Sequence, residues 1–361
     1  MMTRLSPLLC LAGLLPLASL TQSQDAATDT AAVPVPGYPP EIREVRYPCP
    51  DGSDQPALFW ASHEGAAPTE KKRPLLVALH TWSGNYRQAG GEVKYAEWCL
   101  QNDWIFLHPD FRGINNTPEA LGSDLAIDDI RAAVEWAKTR SAVDETRIYA
   151  VGVSGGGHIT QLLAGRTPEI WAGISTWCGI SDIATWHAET TAAGRLNYAG
   201  HIERVLGGAP DASPDHTADA RHRSPLTWLE HAASIPLDIN HGIHDGRSGS
   251  VPFTHSLHAW NAVVPAADRI DPDLIARFYD TQRPPAGGDE DIADPLYGAL
   301  PPVYRKTSGN TRVTIFEGGH EILHEAALNW LAAQRKGQAA NWNPPRVATL
   351  KTSVGDRESG K

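Results

Sequence analysis

Cysteine is scarce in this chain of 361 residues: four in all, Cys10, Cys49, Cys99 and Cys178. Cys10 lies inside an N-terminal apolar run, so the remaining three permit at most one disulfide and exclude a disulfide-built scaffold. Apolar neighbours mark Cys99 and Cys178 as buried small hydrophobes rather than nucleophiles. Basic charge is in short supply as well. With 31 Lys and Arg against 42 Asp and Glu, the net charge is -11, which argues against a nucleic-acid partner. Beyond the first twenty residues or so, no apolar run is long enough to span a bilayer. Although 15 histidines are present, no HExxH or comparable ligand spacing occurs, so neither a metal nor another cofactor is expected. Fixed-period repeats are lacking too, which excludes a solenoid.

What is present begins with a leader. Arg4 followed by the apolar stretch Leu5–Leu20, with small Thr21 and Ser23, reads as a signal peptide over residues 1–23. The expectation is a secreted or periplasmic protein with no membrane attachment after cleavage. Residues 24–40, rich in Ala, Thr and Pro, read as a linker, and residues 336–361 as a polar tail that frays. Between them, residues 41–335 alternate strands and helices. Edge strands are expected at 41–47 and 57–62, and buried strands at 74–80, 104–108, 147–151, 174–177, 235–241 and 312–316. Helices are expected at 91–102, 124–140, 156–165, 253–264 and 321–334. Over 124–140 the signals agree: Ser123 as N-cap, acidic residues at the positive end, and an Ile130, Ala133, Val134, Ala137 apolar stripe. This rhythm predicts an α/β fold with a mostly parallel sheet flanked by helices. Two stretches break it, about 181–223 and 266–310, and read as cap insertions.

The chemistry centres on Arg147–His158, where an apolar strand pattern runs into Gly152-Val153-Ser154-Gly155-Gly156. Gly-x-Ser-x-Gly between a strand and a helix is the nucleophile-elbow pattern. Its glycines let strand and helix approach closely, and the turn presents the serine hydroxyl beside the helix N-terminus. Serine needs a base, and the base needs an acid to fix its tautomer. In chain order Ser, acid, His, two loops after strands supply them: Asp245 in His241–Gly246, and His320 in Glu317–His320. The expected triad is Ser154, Asp245 and His320, with His244 a rival base and Asp182 or Glu317 rival acids. The oxyanion hole is expected from the Gly155 N–H and a second N–H from the loop after the 74–80 strand, either Thr81 or Trp82.

Asp110-x-Arg112-Gly113, Val143-Asp144-x-x-Arg147-Ile148, Gly152-x-Ser154-x-Gly156-Gly157, Arg223-Ser224-Pro225-Leu226, His241-Gly242-x-x-Asp245 and Gly319-His320 together resemble the prolyl oligopeptidase-type α/β-hydrolases. The resemblance covers about residues 70–335 apart from the two insertions. It implies the fold and triad, and it leaves the substrate open between peptides and esters. Peptidases of this group usually carry a large N-terminal β-propeller, for which the forty or so residues before the first strands leave no room. Tryptophan is abundant, with 12 in the chain. Trp98, Trp136 and Trp330 are expected in the core. Trp82, Trp177, Trp186 and Trp228 fall on or beside loops at the sheet edge where ligands bind, and read as substrate platforms. The expected function is a secreted serine hydrolase acting through an acyl-enzyme on a small-molecule or polysaccharide ester, foremost a carbohydrate (acetyl) esterase. A prolyl oligopeptidase-type serine peptidase is the alternative. An inactive carbohydrate-binding homologue is the alternative of another class.

Overall fold

The computed structural model describes residues 34–65 and 71–350. The leader and the start of the linker expected from the sequence lie outside these residues, as does the end of the polar tail. In chain order the elements are β1 (Arg43–Pro48), β2 (Asp54–Trp60), β3 (Arg73–Leu79), α1 (Glu92–Asn102), β4 (Ile105–Pro109), α2 (Asp124–Arg140), β5 (Val143–Val153), α3 (Gly155–Arg166), β6 (Gly173–Trp177), α4 (Ile183–Ala192), α5 (Leu196–Leu206), α6 (Pro214–His222), β7 (Leu237–Gly242), α7 (Thr254–Val263), α8 (Pro272–Thr281), β8 (Pro302–Ser308), β9 (Thr311–Phe316) and α9 (His324–Ala332). The strands form one nine-stranded sheet in the order β1-β2-β4-β3-β5-β6-β7-β9-β8.

From β4 to β9 the neighbours are parallel, so every one of these strands ends at the same edge. β1, β2 and β8 close the two sides antiparallel. Burial on both faces explains the continuous apolar strands. In β3, Leu75, Val77 and Leu79 join the apolar cluster on the face covered by α2, α3 and α7, while Leu76 and Ala78 join that on the face covered by α1 and α9. The expected edge pair is partly corrected, because β2 lies between β1 and β4, and of the two β1 alone is at an edge. Helix α2 runs over the expected residues, with Ser123 Oγ accepting from the Ala126 N–H at 3.1 Å.

Three expectations change. Residues 34–40 are not a free linker, since Val35 and Tyr38 are buried against the core and the Tyr38 hydroxyl donates to the Gln88 carbonyl at 2.5 Å. Part of the 266–310 stretch is sheet, because β8 pairs along the length of β9. The segment after α9 docks rather than frays. Trp342 stacks on Trp330 at 5.5 Å and Asn329 Oδ1 accepts from the Val347 N–H at 2.7 Å. α9 itself starts at His324, three residues later than the apolar pattern suggested. The other insertion, 181–223, folds as three short helices. They bury Ile183, Trp186, Ile202, Val205 and Ala220 with Trp82 and Leu121 as a separate apolar cluster. Among the described residues, no helix is long and apolar enough to cross a membrane.

Candidate active site

Ser154 sits at the step from β5 to α3 with φ 60° and ψ -119°, a region a serine occupies only under constraint. Its N–H donates to the Trp177 carbonyl at 2.9 Å, which ties the turn to β6. The glycines are required by space. A Cβ on Gly152 would come within 2.5 Å of the Gly156 carbonyl, and one on Gly156 within 2.4 Å of the Leu79 carbonyl. Only a chain without side chains at both positions brings β3, β5 and α3 this close.

Asp245 and His320 come from the loops after β7 and β9. His320 Nδ1 donates to Asp245 Oδ2 at 2.6 Å, leaving Nε2 of the ring as the acceptor. Asp245 is fully buried and receives three further bonds: from His241 Nε2 at 2.9 Å, the Gly246 N–H at 2.8 Å and the Val251 N–H at 3.1 Å. Burial alone would raise this carboxyl. The bonds and charges from His241 and His320 outweigh it and hold Asp245 well below the usual carboxylate range. His241 is in turn fixed by Ser256, whose hydroxyl lies 2.8 Å from Nδ1. The sequence offers no sign of this role for His241 beyond its place in His241-Gly242-x-x-Asp245. Gly249 was missed outright, and a Cβ there would overlap Asp245 Oδ1 at 2.0 Å and His320 Cβ at 2.7 Å.

Ser154 and His320 line one cavity of about 420 Å³, together with Thr81, Trp82, Gln88, Glu92, Tyr95, Tyr198, Ile322 and His324 among others. Of the rivals, His244 is outside that lining and bonds Glu317 at 2.6 Å on the exposed side, while Asp182 caps α4 through the Thr185 N–H at 2.7 Å. The two N–H groups expected as second oxyanion donor differ in their surroundings. The Thr81 N–H is engaged by Gln88 Oε1 at 3.0 Å. The Trp82 nitrogen lies 2.3 Å from where a Gly155 Cβ would stand, so the Trp82 backbone passes directly beside Gly155. Beneath this loop His80 is fully buried and bridges the Thr81 and Asp110 carbonyls at 2.9 and 2.8 Å.

The tryptophan platforms are largely corrected. Trp177 is completely buried between Phe316 and Tyr297, with its Nε1 on Ser175, and offers no face. Trp186 is 1% exposed, because the three cap helices use it as their own core, and its Nε1 donates to the Ser250 carbonyl at 2.8 Å. Trp228 packs at Gly165, near the end of α3 remote from Ser154, under the Arg166 guanidinium. Only Trp82 reaches the cavity lining, and its indole is buried against Trp186 at 4.6 Å. Cys178 lies under the same edge, buried, with Sγ donating to the Gly319 and Glu321 carbonyls. Among the described residues its Sγ, a carboxylate oxygen of Asp245 and a ring nitrogen of His320 form a group compact enough to ligate a metal, within 4.8 Å of one another. The Asp245–His320 bond already occupies the two groups with each other.

Residues 96–272 match the model of the Prolyl oligopeptidase family. A protein named Feruloyl esterase B from Thermothelomyces thermophilus is 26% identical over 30% of this chain and 40% of its own length. A second Feruloyl esterase B, from Talaromyces stipitatus, is 22% identical over 54% of each chain. Dipeptidyl aminopeptidase BIII from Pseudoxanthomonas mexicana is 24% identical over 59% of this chain and 31% of its own. The chain thus spans about half or less of the length of these curated relatives.

Proposed function

The chain is an α/β-hydrolase of the prolyl oligopeptidase type, and from that premise we propose that it is an exported serine esterase acting on acylated carbohydrate. The observation carrying this reading is the cleft shared by Ser154 and His320, with the imidazole bonded to buried Asp245 at 2.6 Å. In the proposed cycle His320 Nε2 takes the Ser154 proton as Oγ attacks the ester carbonyl. The Gly155 and Trp82 N–H groups receive the developing oxyanion; the bond from the Thr81 N–H to Gln88 favours Trp82 over Thr81. The imidazolium then protonates the departing alcohol, and water activated by the same ring releases the acid. Asp245, held ionised by its donors, stabilises that imidazolium throughout.

Two relatives named as feruloyl esterases support ester cleavage over amide cleavage, while the relative named as a dipeptidyl aminopeptidase supports a peptidase as the second reading. A panel of short-acyl nitrophenyl esters, acetylated polysaccharide and proline-containing peptides separates them. Ester turnover is expected, lowered on the order of 10⁶-fold by Ser154→Ala. Peptide turnover without ester turnover would reverse the order of the two readings. An intact protein that a fluorophosphonate leaves unlabelled at Ser154 would point instead to a binding protein.

A further inference from the structure

Asp245 is held differently at its two oxygens. Oδ1 accepts two backbone N–H groups, from Gly246 at 2.8 Å and from Val251 at 3.1 Å. Oδ2 accepts two imidazoles, His320 Nδ1 at 2.6 Å and His241 Nε2 at 2.9 Å. His241 is completely buried near the end of β7 and lies outside the lining of the Ser154 cavity. Its neighbours settle where its hydrogen sits. Nε2 faces Asp245 Oδ2 at 2.9 Å and the Val251 carbonyl at 3.0 Å, and since both accept, Nε2 must donate. On the other side Nδ1 meets the Ser256 hydroxyl of α7 at 2.8 Å. Burial outweighs the pull of Asp245 and holds this ring below the ordinary histidine range, so it is neutral near pH 7. His241 thus meets the carboxylate as an N–H dipole and not as a charge.

For the reacting imidazole this has a geometric effect and an electrostatic one. Two bonds on Oδ1 leave the carboxyl plane free to turn about that oxygen, and the His241 bond supplies the third point that keeps Oδ2 aimed at His320. Because both rings converge on one oxygen, the positive end of the His241 dipole lies close to the His320 ring. There it opposes the positive charge that ring acquires in the proposed cycle. Cys178 after β6 also faces the carboxylate, with Sγ within 4.8 Å, as does Tyr279 of α8, whose hydroxyl stands 2.5 Å from where a Gly246 Cβ would be. Burial raises both, so they stay neutral near pH 7, and the Arg247 guanidinium lies over the Tyr279 ring at 5.0 Å.

We propose that His241 is a positioning residue that aims Asp245 at His320 and tempers its hold on the imidazolium, an inference that rests on the triad of the esterase reading. The test follows 4-nitrophenyl acetate hydrolysis against pH in the wild type, in His241→Gln, which keeps an N–H for Oδ2, and in His241→Leu, which does not. His241→Leu is expected to lower kcat about tenfold with KM changed much less, because Asp245 loses its aim. Its acid limb of kcat/KM is expected about half a pH unit higher, since the base must be neutral and the dipole opposing its charge is gone. His241→Gln is expected to restore the limb and most of kcat. Equal losses of kcat in both variants with an unmoved limb overturn the proposal in favour of packing alone. Wild-type kcat and limb in His241→Leu overturn it as well. A wild type that turns over no ester overturns the esterase reading instead, and nitrogen-15 NMR of the histidine rings then decides the role of His241. The same spectra decide it if His241→Leu does not fold. Wild-type His241 is expected to keep its hydrogen on Nε2 over the whole range in which His320 titrates. A hydrogen on Nδ1 alone, or a ring that takes up its proton together with His320, overturns the proposal.

Discussion

At the scale of single residues, Gly249 shows how narrowly the proposed charge relay is built. Asp245 is completely buried, and its Oδ1 faces the Gly249 backbone so closely that a methyl group would overlap it and His320 Cβ together. Gly249→Ala must therefore displace the acid, the imidazole or both, and a misplacement of about 1 Å is worth on the order of 10²-fold in rate. The expected result is a fall in kcat of that order with KM changed much less, measured on a nitrophenyl ester. Unchanged kcat would mean that the loop yields without moving His320. Ser154, Asp245 and His320, the proposed triad, stand out in the sequence because each follows a strand, and strands announce themselves by apolar runs. Gly249, His241 and Gln88 do not. Each acts through a contact between loops distant in sequence, which leaves no period and no spacing to read. The choice of Trp82 over Thr81 turned on one side-chain bond from Gln88, equally invisible before folding.

At the scale of elements, α2 and most parallel strands fall within two residues of expectation and β5 begins four residues early, whereas β8 and the segment after α9 escaped the pattern. β8 follows Pro301, opens on Pro302 and carries Arg305, Lys306 and Thr307, a polar pattern that suits an edge strand and resembles a loop. Its buried Arg305 becomes intelligible only beside Asp294 at 3.1 Å and Thr314 at 3.0 Å. The C-terminal segment reads as frayed because it is polar, yet Trp342 alone gives it a stacking partner in Trp330 and a guanidinium, Arg312, 4.9 Å from its ring. Arg312 is buried and paired with Asp238 at 2.8 Å, so Trp342 also shields an ion pair from water. Trp342→Ala is expected to cost about 1–2 kcal/mol, read as a melting temperature lower by roughly 3–6 °C. A melting curve identical to that of the wild type would show that the segment contributes nothing to stability.

At the scale of the whole molecule, the cap and the catalytic edge share one apolar cluster, and this joins two parts the sequence presented as independent. Three tryptophans expected to meet substrate instead serve packing, since indoles are the largest apolar groups available to fill the space between helices and sheet. Trp186 is the central case. Its ring meets Trp82 at 4.6 Å, and the Trp82 indole also donates to His201 of the cap at 3.2 Å. The backbone N–H of Trp82 is the proposed second oxyanion donor, so the cap helices hold a catalytic dipole in place through a side chain that touches no substrate. Removing Trp186 should then loosen that dipole more than it alters binding, which makes Trp186 a positioning residue. Trp186→Ala is expected to lower kcat about 10- to 100-fold with a smaller change in KM, because oxyanion donors act on the transition state rather than the bound ester. Trp186→Phe, which keeps a ring against Trp82, should recover most of the loss. If KM rises while kcat holds, the cap serves binding alone. Should neither move, the oxyanion loop stands without the cap and the coupling is absent.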